Sequence, residues 1–293
     1  MISKITLMEM LSSRFLENII KMKYKNLFSL KNKVSVVTGA AGILGNEFSI
    51  ALAEYGSHLA LIDIDQNALD KMTRSLSKRY GIKSKGYVCD VSNEKAVKHT
   101  VINIEKDIGK IDILLNNAAT KTDSLKDFFM PLEKYDLGTW KKIMDVNLDG
   151  MYIVAKEIGS RMAKRKKGSI VQTSSIYSSL MAPDQRIYKG SEYLGTSINT
   201  PAAYSVSKAG IVGLTLHLAS YWGKNKVRVN TLSPGGVFSG QNNKFKENYS
   251  KRVPLNRMAD KEELIGAMLY LASDASSYVT GQNIFVDGGL SAW

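Results

Sequence analysis

Short apolar runs alternate with amphipathic stretches along most of the chain. Val34-Ser35-Val36-Val37, His58-Leu59-Ala60-Leu61-Ile62, Ser84 to Cys89, Ile111-Asp112-Ile113-Leu114-Leu115, Gly168 to Ser175, Val227 to Leu232 and Gln282 to Val286 each read as a strand. Between them, helical spacing marks Phe48-Leu52-Tyr55, residues 66–80, a segment opened by Asp90-Val91-Ser92, a stretch around Trp140 to Tyr152, Tyr204 to Tyr221, and residues 260–272. Seven strands separated by helices predict an α/β fold with a doubly wound parallel sheet and a ligand at the C-terminal strand ends. Two stretches fit neither period. Residues 176–203 carry Met181-Ala182-Pro183, Tyr188-Lys189-Gly190 and Gly195 through Pro201, and residues 237–257 are polar and loop-like. Ahead of the first strand, Leu7, Met8, Leu11, Phe15, Leu16, Ile19, Ile20 and Met22 recur every three or four residues. That spacing predicts an amphipathic helical extension over 1–30 that packs on protein. With no linker, repeat or low-complexity tract, residues 31–293 read as one domain.

Hydrophobic residues make up 44% of the chain, enough for a sizeable core. No apolar run approaches the ~20 residues a membrane span needs. The first thirty residues mix charges with apolar positions and lack a signal-like core, so a cytoplasmic protein is expected. A single cysteine, Cys89, excludes an intramolecular disulfide and fits a reducing compartment. His58, His99 and His217 have no metal-ligand spacing, so no metal is expected. The net charge of +13 admits nucleic acid or an anionic small molecule as partner. Its densest run, Lys164-Arg165-Lys166-Lys167, has no interleaved aromatic residue and reads as the exposed end of a helix. No nucleic-acid partner is expected.

Candidate chemistry concentrates in two places. Strand Val34–Val37 runs into Thr38-Gly39-Ala40-Ala41-Gly42-Ile43-Leu44-Gly45 and then a helix. Glycines there let backbone approach a pyrophosphate, which the helix N-terminus also favours. The next strand ends at Asp63, placed to bond the adenosine ribose hydroxyls. A carboxylate repels a 2′-phosphate, and Ile64 and Asp65 follow where an arginine would serve NADP, so NAD is expected over NADP. Asp90 reads as a helix cap or an adenine neighbour, and the adjacent Asn116 and Asn117 as strand-end stabilisers beside a cofactor. The second place is Tyr204-Ser205-Val206-Ser207-Lys208. On a helix its Tyr and Lys share a face, and an ammonium nearby lowers a phenol's pKa toward acid–base use.

Taken in order, the Thr38–Gly45 turn, Asp90-Val91, Asn116-Asn117-Ala118-Ala119, Asn147, Ser175, Tyr204-x-x-x-Lys208, Pro234-Gly235 and Val286-Asp287-Gly288-Gly289 resemble the short-chain dehydrogenase/reductase family over roughly residues 30–290. The resemblance implies a Rossmann-type domain with strand order 3-2-1-4-5-6-7, usually a homotetramer or homodimer. It also implies roles. Tyr204 would be the acid/base, with Lys208 lowering its pKa and holding the nicotinamide ribose. Ser175, or its neighbour Ser174, would bond the substrate oxygen, and Asn147 would hold a relay water. The implied cofactor set is Gly39, Gly42, Ile43, Leu44, Gly45, Asp63, Ile64, Asp90, Val91, Asn117, Ala118, Ala119, Pro234, Gly235, Val237 and Ser239, with Tyr204 and Lys208.

The chain departs from the family pattern at three points. Ile43 stands at the usual middle glycine of the turn, Ala119 replaces a glycine, and Tyr204 follows Ser175 by 29 positions where about a dozen are usual. The extra residues must bulge beside the substrate. They carry Asp184, Gln185, Arg186, Tyr188, Lys189 and Glu192, which predicts a polar lid and a hydroxyl-rich substrate such as a sugar or sugar derivative. Ser174-Ser175-Ile176-Tyr177 and Ser233 to Phe238 also resemble bacterial oxidoreductases of surface-sugar and flagellin modification. The alternatives are a polyol (gluconate-type) dehydrogenase, a 3-oxoacyl-carrier reductase, and a non-catalytic cofactor-binding regulator.

Overall fold

The computed structural model describes residues 24–178 and 180–292. Its first half repeats strand and helix: β1 (Val34–Thr38), α1 (Ile43–Glu54), β2 (His58–Asp63), α2 (Gln66–Tyr80), β3 (Ser84–Val88), α3 (Glu94–Asp107) and β4 (Ile113–Asn116). A short helix α4 (Leu125–Phe128) and α5 (Leu137–Met144) follow, and a π-helical turn, Asp145–Gly150, leads into α6 (Met151–Arg165). Then come β5 (Gly168–Thr173), a small hairpin of β6 (Glu192–Tyr193) and β7 (Thr196–Ser197), α7 (Ala202–Gly223), β8 (Val227–Pro234), α8 (Asn243–Ser250), α9 (Ile265–Ala272) and β9 (Asn283–Val286). Seven strands form one sheet in the order β3-β2-β1-β4-β5-β8-β9, every pair parallel. This is the doubly wound Rossmann-type architecture that the alternation predicts.

Alternation along the strands builds two cores. Val36, Leu114 and Ile170 face α3, α6 and α7, burying Val101, Val154, Ile158 and Trp222. Their chain neighbours Val37, Leu115 and Val171 face the opposite way, onto Phe48, Leu52, Met268 and Leu271 of α1 and α9. Helices α6 and α7 meet where Gly159 leaves room for the Trp222 ring; a Cβ at 159 would lie 2.2 Å from it. Helix starts are capped locally: Asp65 accepts from the Ala68 N–H and Asn93 from that of Ala96, both at 3.0 Å. The basic run lies at the end of α6, where Lys166 takes a left-handed φ of 54° and Lys167 reaches Asp112 at 3.3 Å.

Both stretches that read as irregular acquire structure by packing on each other. Residues 237–257 contain helix α8, with Phe245 and Tyr249 buried one turn apart and Asn242 capping it. A 3-10 turn, Gln185–Tyr188, and the β6–β7 hairpin occupy much of 176–203. Ile176, Ile187, Phe245, Tyr249, Val253 and Met258 form a small third core between the two segments. The Asn242 N–H donates to the Glu192 carbonyl at 2.9 Å, tying the hairpin down. The helical extension expected over 1–30 lies, as far as residue 23, outside the described residues. Lys25–Phe28 form one 3-10 turn, and the chain joins the body at Leu30, which is fully buried and donates its N–H to Tyr55. Among the described residues no helix is long and apolar enough to cross a membrane.

Candidate active site

The C-terminal ends of β1, β2, β4, β5 and β8 open onto one long cleft, as expected for a sheet whose strand order reverses between β1 and β4. Thr38 organises its floor. The Thr38 hydroxyl accepts the Asn117 and Ala118 N–H groups at 2.9 and 3.0 Å and donates to Asn116 Oδ1. Asn116, fully buried, spends its amide on Gln172 Oε1 and the Met151 carbonyl, so β1, β4, β5 and the start of α6 are locked together. Asn117 reaches back to the carbonyls of Thr38 and Gly39.

Gly39 turns away from β1 with φ +62°, and a Cβ there would lie 2.8 Å from the Ala118 backbone. Gly42 caps α1, and Gly45 packs so tightly that a Cβ would fall 2.0 Å from the Gly39 carbonyl. Ile43 is the first residue of α1 and 47% exposed, projecting into the cleft. An isoleucine therefore replaces the usual glycine without meeting backbone. Asp63 accepts from the Ala41 N–H (2.9 Å) with one oxygen and from Ile64 and Asp65 with the other. It ties the end of β2 to the glycine turn. Asp63 and Asp65 line this end of the cleft.

At the other end, α7 brings Tyr204 and Lys208 under β5. The Lys208 ammonium is buried and donates to the Thr173 carbonyl at 2.9 Å, and burial pulls its pKa down to about 8. Burial pushes the Tyr204 phenol up, opposed by a hydrogen bond with Ser175. The partner that opposes burial at Tyr204 is thus Ser175, where Lys208 was expected. Ser174 is committed elsewhere: its hydroxyl donates to the Lys208 carbonyl at 2.7 Å. Ser175 faces Tyr204 and accepts the Tyr177 N–H at 3.1 Å, which separates the two candidate serines.

Ser175, Tyr204, Gly235 and Val237 also line a second cavity of about 210 Å³ that opens from the cleft. Its walls are aromatic: Phe128, Phe129, Tyr177, Tyr188, Tyr193, Phe245 and Tyr249, with Lys121, Ser175, Asn199, Thr200 and Gln241 among the polar positions. Tyr188 pairs with the Thr200 hydroxyl, and Tyr249 accepts the Gly236 N–H. The expected polar lid is not what faces this pocket. Asp184 pairs with Arg186 and Arg252, which hold its carboxyl at about 2, and Arg186 is 86% exposed. Of the six insertion residues singled out, Tyr188 alone lines the cavity.

A family model described as short chain dehydrogenase matches residues 33–193, and one described as Enoyl-(Acyl carrier protein) reductase matches residues 190–291. The chain belongs to the short-chain dehydrogenase/reductase family. A sorbose reductase of Candida albicans is 36% identical over 272 residues, covering 90% of this chain and 89% of its own. A gluconate 5-dehydrogenase from Burkholderia cenocepacia, solved with NADP and tartrate, superposes with a TM-score of 0.80 at 28% identity, covering 92% of this chain and 98% of that one. A short chain dehydrogenase from Leptospira borgpetersenii with bound NAD+ gives a TM-score of 0.78 at 29% identity, covering 90% and 94%. As a short-chain dehydrogenase/reductase the protein is an oxidoreductase, and the family uses both NAD and NADP.

The other residues expected at this site divide between the cleft and places away from it. Asn147 is fully buried within the π turn, with its amide on the Thr120 backbone, and does not line the cleft. Ile64 is 74% exposed outside the cleft lining, and Asp90 accepts the Ser92 N–H and hydroxyl in a local turn. Val91 and Ala118 are core residues, while Ala119, Pro234 and Ser239 line the cleft. The aromatic walls escaped sequence reasoning because their residues come from four separated segments. Only Phe245 and Tyr249, four apart on a polar background, signalled a buried helix face.

Proposed function

We propose that this protein is an NAD(H)-dependent dehydrogenase interconverting a secondary alcohol and a ketone on a small sugar or polyol. The carrying observation is that Ser175 and Tyr204 together line the place where the dinucleotide cleft opens into the aromatic pocket, with Ser175 acting against burial at the Tyr204 phenol. The residues fit a dinucleotide. Gly39 leaves a cradle a Cβ would fill, the N-terminus of α1 offers unpaired N–H groups, and Asp63 and Asp65 suit ribose hydroxyls better than a 2′-phosphate. Bound there, the dinucleotide supplies or accepts hydride. Tyr204 Oη gives its proton to the carbonyl oxygen during reduction and takes it back during oxidation. Ser175 Oγ holds that oxygen, and Lys208 holds the ribose side and carries the nearby positive charge.

The relatives' names point to sugars and sugar acids, and a cavity of about 210 Å³ walled by aromatic rings suits one such molecule. Ring faces cover its C–H surface while Asn199, Thr200 and Gln241 meet its hydroxyls. This favours the polyol reading over the surface-sugar or flagellin-modification reading. The exposed apolar side chains Val206, Leu216 and Tyr221 of α7, with Tyr152 of α6, support a homo-oligomer. A direct test follows reduced-dinucleotide absorbance with hexitols, ketohexoses and aldonates, and titrates NAD(H) and NADP(H) calorimetrically into wild type and Asp63→Ala. Turnover of one of these classes and an NAD(H) preference that weakens in the variant are expected. Turnover of none, or an NADP(H) preference, would refute the corresponding half.

A further inference from the structure

Lys121 is the only charged side chain among the described residues lining the aromatic pocket, and it also lines the dinucleotide cleft. It thus stands where the cleft and the pocket meet. The loop holds it there by specific means. Asn147 Oδ1 accepts the Thr120 N–H at 2.7 Å, fixing the residue before it. Thr122, the residue after it, takes φ +63°, a conformation costly for a β-branched side chain. Hydrogen bonds from the Thr122 N–H to Thr120 Oγ1 (3.0 Å) and from Thr122 Oγ1 to the Ser124 carbonyl (3.2 Å) hold that conformation. The ammonium lies 4.0 Å from the centre of the Tyr193 ring, on the β6–β7 hairpin. Among the described residues no carboxylate neutralises it.

We infer that Lys121 is a specificity residue that binds an anionic group of the substrate, so that the preferred substrate is a sugar acid bearing a carboxylate instead of a neutral polyol. The inference rests on the sugar or polyol reading above and narrows it. A cation over an aromatic face, beside a cavity otherwise neutral, supplies an ion-paired hydrogen bond to a carboxylate, whereas a hexitol hydroxyl accepts only the weaker bond between an ion and a neutral group. Such a bond contributes about 10- to 100-fold in binding.

The test measures kcat/KM for gluconate and for a matched six-carbon hexitol in wild type, Lys121→Met and Lys121→Arg. Wild type should favour the acid. Lys121→Met should lower the acid-to-hexitol ratio about 10- to 100-fold, mainly through the KM of the acid, and Lys121→Arg should keep it within a few fold. An unchanged ratio in Lys121→Met, or a wild type that prefers the hexitol, overturns the inference while leaving the dehydrogenase reading intact. Weakened dinucleotide affinity with an intact ratio overturns it too, by assigning Lys121 to the cofactor. If neither substrate class turns over, the broader reading fails. Calorimetry of gluconate on the enzyme saturated with NADH then decides the inference separately: binding lost in Lys121→Met upholds it, and equal or absent binding in both proteins overturns it.

Discussion

Replacing Lys208 with methionine keeps the side chain's length and removes its charge from a buried site. Moving a lysine from its ordinary value of 10.5 to about 8 means that folding disfavours the ammonium by about 3 kcal/mol. The sign follows from proton counts. Between about pH 8 and 10.5 the unfolded chain holds more protons at this position than the folded one, so stability at this site rises with pH across that window. Below about pH 8 the full penalty is present. The variant also leaves the Thr173 carbonyl without its 2.9 Å donor, which costs about 1–3 kcal/mol. At pH 7 Lys208→Met should therefore be as stable as wild type or more stable by up to about 2 kcal/mol, while its turnover collapses. At pH 10 wild type should have gained about 2–3 kcal/mol on the variant. Urea unfolding of both apoproteins at pH 7 and pH 10, at equal protomer concentration, reads this difference, because every other titrating group cancels between them. A wild-type-minus-variant difference that is flat with pH would refute the claim that Lys208 pays for its position with a buried charge.

Other consequences can be checked in the same protein. Ser175→Ala should cut turnover about 10²-fold or more, whereas Ser174→Ala should cost about 1 kcal/mol of stability through the lost bond to the Lys208 carbonyl and spare most turnover; equal kinetic losses would undo the assignment. Gly39→Ala should cost about 2–4 kcal/mol, from its left-handed φ and the 2.8 Å approach to Ala118, and should weaken dinucleotide binding in calorimetry. Leu216→Arg, on the exposed face of α7, should shift sizing and light-scattering profiles toward smaller species with the fold retained by circular dichroism.

The fold was legible because its signals are local. Val36 and Val37 point to opposite faces by the period of a strand, and the glycine turn announces the first crossover. Strand ends came within about two residues, and β8 runs on through Ser233 to Pro234 because that proline sits at the strand's last position. What escaped depends on contacts between distant segments. Helix α8 looked like a loop because most of its residues are polar, and its burial comes from Ile187 and Ile176 across the cavity. The π turn at Asn147 has no sequence signature, and it is what turns that side chain onto the Thr120 backbone. Ser174 and Ser175 are chemically identical in sequence. Only the direction of strand β5 as it ends decides which one meets Tyr204. The charged insertion residues misled for a related reason: Asp184 has its arginine partners at the surface, and the pocket is left to tyrosines.

The central claim is that Tyr204 moves the proton in a site built to hold a dinucleotide, and Tyr204→Phe tests it most directly. The variant removes one oxygen and keeps the ring. Calorimetry with NADH and turnover of a substrate accepted by wild type should be measured on the same preparation. The account predicts dinucleotide affinity within a few fold of wild type and turnover lowered by about 10²- to 10⁴-fold. Turnover within a few fold of wild type would contradict it and move the proton transfer to another group.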